Sequence, residues 1–165
     1  MSIMMMLGSV QAAIQQSAGT FWDDYRAQMS HVYSLRPFFS DTTHVIEGRR
    51  GGDDVTQFFT GQEILSGNLV AWAGQGGGNN NAYIRTLVEQ TGNNSDEVVT
   101  DLTRQRQIVV NGNLVLGTGG LPAMLTDGSR HGGETTGEFT TSQSVLAVAS
   151  HEGGSQGTLY NGGNF

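Results

Sequence analysis

The sequence has no cysteine, no lysine, only two prolines and no apolar run longer than five residues such as Ile3–Leu7. Without cysteine there is no disulfide framework, no thiolate metal ligand and no thiol nucleophile. Without lysine there is neither Schiff-base chemistry nor the ammonium of a phosphate loop, and all eight positive charges are arginines. The scarcity of proline rules out a proline-rich linker, and the 25 glycines follow no three-residue period of the collagen kind. Apolar runs of this length fall far short of the ~20 residues that cross a bilayer, so no membrane span is expected. Residues 1–13 imitate a short signal peptide, with an apolar centre and a Val10-Gln11-Ala12 tripeptide, but no arginine or lysine precedes that centre. This end is therefore expected to be retained.

What is present is a chain of 165 residues, the size of one ordinary domain, that is polar without being highly charged. Apolar residues make up 36% and charged residues 14%, the latter against an average of ~25%. The net charge of −7 is distributed unevenly: residues 1–50 balance, residues 51–106 carry −4 and residues 107–165 carry −3. Only Arg130 adds positive charge after Arg106. A nucleic-acid backbone is repelled by such a surface, so no direct nucleic-acid partner is expected.

From Ile3 to Val32 the apolar residues Ile3, Leu7, Val10, Ile14, Ala18, Phe21, Tyr25, Met29 and Val32 recur at steps of three or four. This spacing predicts an amphipathic helical arm over residues 1–36, in one or two pieces because Gly8 and Gly19 weaken it. Arg36-Pro37 ends it, since the residue before proline is pushed out of the helical region. The polar face of the arm carries Asp23, Asp24 and glutamines rather than the basic residues of a membrane-surface helix. Ile3, Leu7, Val10, Ile14, Phe21, Tyr25, Met29 and Val32 are thus assigned to subunit contact.

Residues 37–165 read as a β-rich region with Gly/Asn-rich loops. Gln62–Val70 and Gln107–Val115 each set a glycine-containing turn between apolar residues, and Asn111-Gly112 is the preferred pair for a two-residue hairpin. The spacing of 45 between Gly67 and Gly112 recurs at Gly157, and recurrent hairpins within one β domain are the expectation. Gly48–Asp54 reads as a loop, Tyr83–Gln90 as a short helix or strand, and Ser95–Arg106 as a helix capped by Ser95. Gly74–Asn81 is too polar to order itself and is expected at a subunit contact or on an exposed rim. Phe139–Ser144 and Val145–Ser150 read as strands. The fold class expected is α+β: the helical arm, then an antiparallel, sandwich-like β domain.

Motifs for chemistry are shallow. Gly117-Thr118-Gly119-Gly120 follows a strand-like run, but Asp127-Gly128 ends any helix after one turn, too short for a dinucleotide site. Gly52-Asp53-Asp54 is similar to the metal-binding tripeptide of RNA-dependent polymerases in a chain far too short to be one, and reads as solvated loop acids. His131, Glu134 and His151 lack the helical spacing of metal ligands because Gly132-Gly133 intervenes, and no Gly-x-Ser-x-Gly elbow occurs. No catalytic residue, no metal and no cofactor is therefore expected.

The function expected is a non-enzymatic structural subunit of a large assembly, of the kind found in a bacteriophage virion as capsid, decoration or head-tail component. Its partners would be copies of itself and other subunits of that assembly, and its location the virion. The alternative expectation is an extracellular or surface-displayed binding module whose loops hold a ligand near Trp72, Tyr83 or Tyr160.

Overall fold

A computed structural model of the chain describes residues 22–117 and 119–126, together with the backbone of Glu134–Thr135. Its centre is one curled antiparallel sheet, a half-barrel with few helices. The strands are β1 (Ile46–Arg50), β2 (Thr56–Phe59), β3 (Ala82–Leu87), β4 (Glu97–Val98), β5 (Arg106–Val110), β6 (Asn113–Leu114) and β7 (Glu134–Thr135). Their order is β2-β1-β3-β4-β7. The far edge of β3 is shared: Ala82–Ile84 pair with β5, which goes on to β6, while Thr86 and Leu87 pair with β4. Splitting one edge between two partners fits a sheet that curls rather than lies flat.

Two short helices, α1 (Gly61–Leu65) and α2 (Asn68–Ala73), cover one face of the sheet. Ile64, Leu69 and Trp72 from them meet Val45, Ile46, Phe59, Ile84, Ile108 and Val109 in one apolar core. Gly48 is what lets the core close over β1. A methyl group there would stand 3.2 Å from the Phe59 ring, which itself meets Trp72 edge to face at 5.0 Å between centroids. Each fully buried Ile, Leu or Phe stabilises the fold by about 1.5–3 kcal/mol relative to exposure.

These observations correct several expectations. A sandwich needs two packed sheets, and the described residues form one. The helical arm is not supported: Ile3, Leu7, Val10, Ile14 and Phe21 lie outside the described residues, helical backbone stops at Asp23, and from Asp24 to Val32 there is only a turn and the 3₁₀ segment Arg26–Gln28. Tertiary partners explain the loss of the periodic pattern here. Val32 N donates to Glu89 Oε1 (3.1 Å), Gln90 N donates to Val32 O (3.0 Å), and Gln90 Nε2 donates to Ser34 O (2.9 Å). These bonds hold residues 30–36 outside any helix, and tertiary context outweighs propensity differences of under ~1 kcal/mol per residue.

The Gly48–Asp54 segment is not a loop throughout, since its first three residues belong to β1. Gln62–Val70 is not a hairpin: it is α1 and α2, joined through Gly67 at φ +86°. Ser95–Arg106 is not a helix but holds β4 and the 3₁₀ segment Leu102–Arg104. Tyr83–Gln90 begins within β3, and the Asn111-Gly112 hairpin stands as read, with φ +49° and +77° joining β5 to β6. The 45-residue spacing therefore compares a helix pair with a hairpin and is no structural repeat at its first two positions. Phe139–Ser144 and Val145–Ser150 lie outside the described residues.

Candidate functional site

The sheet face opposite the helices is polar, and its groups are bound to one another. The register passes from Glu47↔Thr86 to Gly48↔Ile84, a bulge that turns both Arg85 and Thr86 toward Glu47. Arg85 Nη1 donates to both Glu47 oxygens (2.8 and 3.0 Å), and Thr86 Oγ1 donates to Oε2 (2.8 Å). Glu47 is buried, and these bonds offset its removal from water. A second, largely buried pair, Arg106 with Glu97, closes the β5–β4 side at 2.8 and 3.1 Å.

Beside this network lies a cleft of about 350 Å³ lined by Arg49, Tyr83, Leu102, Gln105, Gln107 and Leu125. Arg49 forms its base with a side chain only 9% exposed. Its Nε donates to Gln105 Oε1 (2.6 Å), and its Nη1 donates to Arg50 O (3.4 Å) and to Asp54. The guanidinium lies 4.5 Å from the centroid of the Tyr83 ring, and Nη2 has no hydrogen-bond partner among the described residues. Gln105 is fixed in turn by Nε2 donating to Val99 O (2.8 Å). Gln107 Nε2 reaches the Tyr83 hydroxyl only at 3.4 Å. Leu102 and Leu125 stand exposed on the rim. The cleft thus combines a fixed donor base with apolar walls.

A second cleft, about 360 Å³, is bounded by Asp23, Arg26, Met29, Thr91 and Asn93. Arg26 stacks 4.2 Å from the centroid of Phe39, pairs with Asp41, and keeps its buried Nε without a partner among the described residues. Below it, the Glu89 carboxylate accepts from the backbone N–H groups of Val32 (3.1 Å), Thr91 (2.7 Å), Gly92 (3.0 Å) and Asn93 (2.9 Å). Burial works to raise the Glu89 pKa, but the bonds from Thr91, Val32 and Asn93 together outweigh it and hold the carboxyl below its ordinary range. Burial raises the Tyr33 pKa, with Glu89, Glu97 and Asp96 adding to the effect, so its hydroxyl stays protonated and donates to Ser95 O.

Of the residues assigned to subunit contact, the described ones share no helical stripe. Tyr25 is exposed, Met29 lines the second cleft, and Val32 is half-buried in the irregular 30–36 segment. Trp72 packs in the core, Tyr83 lines the Arg49 cleft, and Tyr160 lies outside the described residues. Asp53 pairs with Arg50, and Asp54 with Arg49, so the two acids of the Gly-Asp-Asp loop serve different arginines. His131 and His151 lie outside the described residues, and those described hold no group of three or more potential metal ligands. Arg49 and Gln105 were missed in the sequence because nothing local marks an arginine whose partner is 56 residues away.

One further feature faces outward. Among the described residues β2 has a strand neighbour on one side only, β1. Arg50 N donates to Val55 O (2.9 Å), and alternation along an antiparallel ladder then turns the backbone groups of Thr56 and Phe58 to the open side. Val55 and Phe58 are 45% and 47% exposed there, with no proline or lysine to blunt the edge.

No known protein family, no curated protein and no solved structure matches the chain. Among the described residues no helix is long and apolar enough to cross a membrane.

Proposed function

We propose that this protein is a non-enzymatic structural subunit that joins copies of itself along the open edge of its sheet, as a component of a bacteriophage virion. The observation that carries the assembly part is the unblunted β2 edge, Val55–Phe59, whose outward backbone groups have no strand partner among the described residues and stand beside two exposed apolar side chains. An edge of this kind is complemented by another edge, and a second copy supplies an identical one about a two-fold axis. The virion setting rests on class-level analogy, from glycine- and asparagine-rich loops too polar to order themselves.

Sedimentation velocity over a wide concentration range tests the reading. The native chain is expected to shift from monomer to larger species as concentration rises, and Phe58→Lys to remain monomeric, because a lysine on an edge strand opposes pairing. A native chain that stays monomeric throughout, or a Phe58→Lys variant that associates equally well, overturns it.

A further inference from the structure

We propose that the cleft beside Arg49 is a binding site for a carboxylate carried on a short apolar body. Three observations converge on it. The guanidinium is held by Gln105, Asp54 and the Arg50 carbonyl and rests on the Tyr83 ring, so it is already oriented, yet Nη2 has no hydrogen-bond partner among the described residues. The Tyr83 hydroxyl and the Gln107 amide, which meet only at 3.4 Å, lie beside it as further polar groups that can turn toward a ligand. Leu102 and Leu125, 51% and 45% exposed, flank this polar base with apolar walls.

The chemistry selects the ligand. A fixed arginine favours a planar, negatively charged acceptor over a neutral one, since hydrogen bonds between charged partners are roughly twice as strong. The leucine rim favours a branched aliphatic body over a second charge, and a volume of about 350 Å³ suits a ligand of a few carbon atoms. Asp54 is the internal competitor. Its carboxylate already occupies Nη1, but its side chain is 65% exposed, so water screens that pair and leaves the guanidinium short of full neutralisation.

The test uses the full chain, labelled with ¹⁵N, titrated with 4-methylpentanoate and separately with 4-methylpentanamide. Saturable shifts of the Arg49 Nε–H and Gln107 side-chain signals are expected with the acid and none with the amide. N-acetylglycyl-leucine and its C-terminal amide, run in parallel, distinguish a free acid from a peptide C-terminus as the source of the carboxylate. Asp54→Asn, which keeps the side-chain shape and tolerates the φ of +58° at this position, is expected to tighten binding about fivefold by removing the like charge. Arg49→Gln is expected to abolish it. Equal binding of acid and amide, or no saturable binding by either the native chain or Asp54→Asn, overturns the proposal. The Asp54→Asn result stands even if Arg49→Gln fails to fold.

Discussion

Glu89 shows how much one residue can organise without any regular element around it. Its two carboxylate oxygens collect four backbone N–H groups from two segments, one of them at Val32, 57 residues away, so the 30–36 segment and the 91–93 turn are fastened to one charge. Because burial raises its pKa less than these bonds lower it, the folded-state value lies below the ordinary 4.5. A depressed carboxyl contributes stability that is fully present above the unfolded pKa and is lost as pH falls through the folded one. Stability is therefore expected to decline on acidification below about pH 4.5. Glu89→Gln should lower stability near neutral pH by about 1–3 kcal/mol and flatten that acid limb. Urea unfolding of both proteins at neutral and acid pH checks this; equal losses on acidification would contradict it. None of this was legible in the sequence, where Glu89 is one of fifteen acids. A carboxylate becomes distinctive only through the amides that the fold turns toward it.

At the scale of elements, α1 is too short to persist alone and is set by its N-terminus and its packing. Thr60 Oγ1 accepts from Glu63 N (3.1 Å), and Glu63 Oε2 accepts from Thr60 N (2.8 Å), a reciprocal cap. Thr60→Ala is expected to cost about 1 kcal/mol in thermal or urea unfolding. In the Thr60→Ala background Glu63→Ala should cost less than it does alone, and additive losses would refute the coupling. Thr60-x-x-Glu63 is a capping pattern that overlaps Gln62–Val70, read from the sequence only as a hairpin. Gly67 hid it, since a left-handed glycine serves a helix-to-helix joint as well as a hairpin. The Asn111-Gly112 turn was legible for the opposite reason: a two-residue hairpin requires positive φ at both positions, and this pair accepts it most readily.

For the molecule as a whole, the polar Gly74–Asn81 segment lies against the turn that follows β1. A methyl group on Gly52 would come within 1.7 Å of Gly77 O, and Gly51 N donates to Asn81 O (2.9 Å). Among the described residues β2 is the uncovered margin of the sheet, and hydrogen exchange should register this. In dilute solution the Thr56 and Phe58 amides are expected to exchange far faster than those of the central strand β3, and to gain protection as concentration rises. Unchanged exchange at high concentration would argue against edge-to-edge assembly. By itself the sequence determined what depends on bonds within a few residues or on bulk content: the absence of thiol and lysine chemistry, the acidic charge, and the Asn111-Gly112 turn. Only the tertiary structure decided whether the 3.6-residue pattern of residues 22–32 is used, which arginine meets which acid, and that one curled sheet replaces a sandwich. The reason is physical: local signals bias the backbone by fractions of a kcal/mol, whereas partners such as Val32 with Glu89 and Arg49 with Gln105 are joined across more than 50 residues of chain.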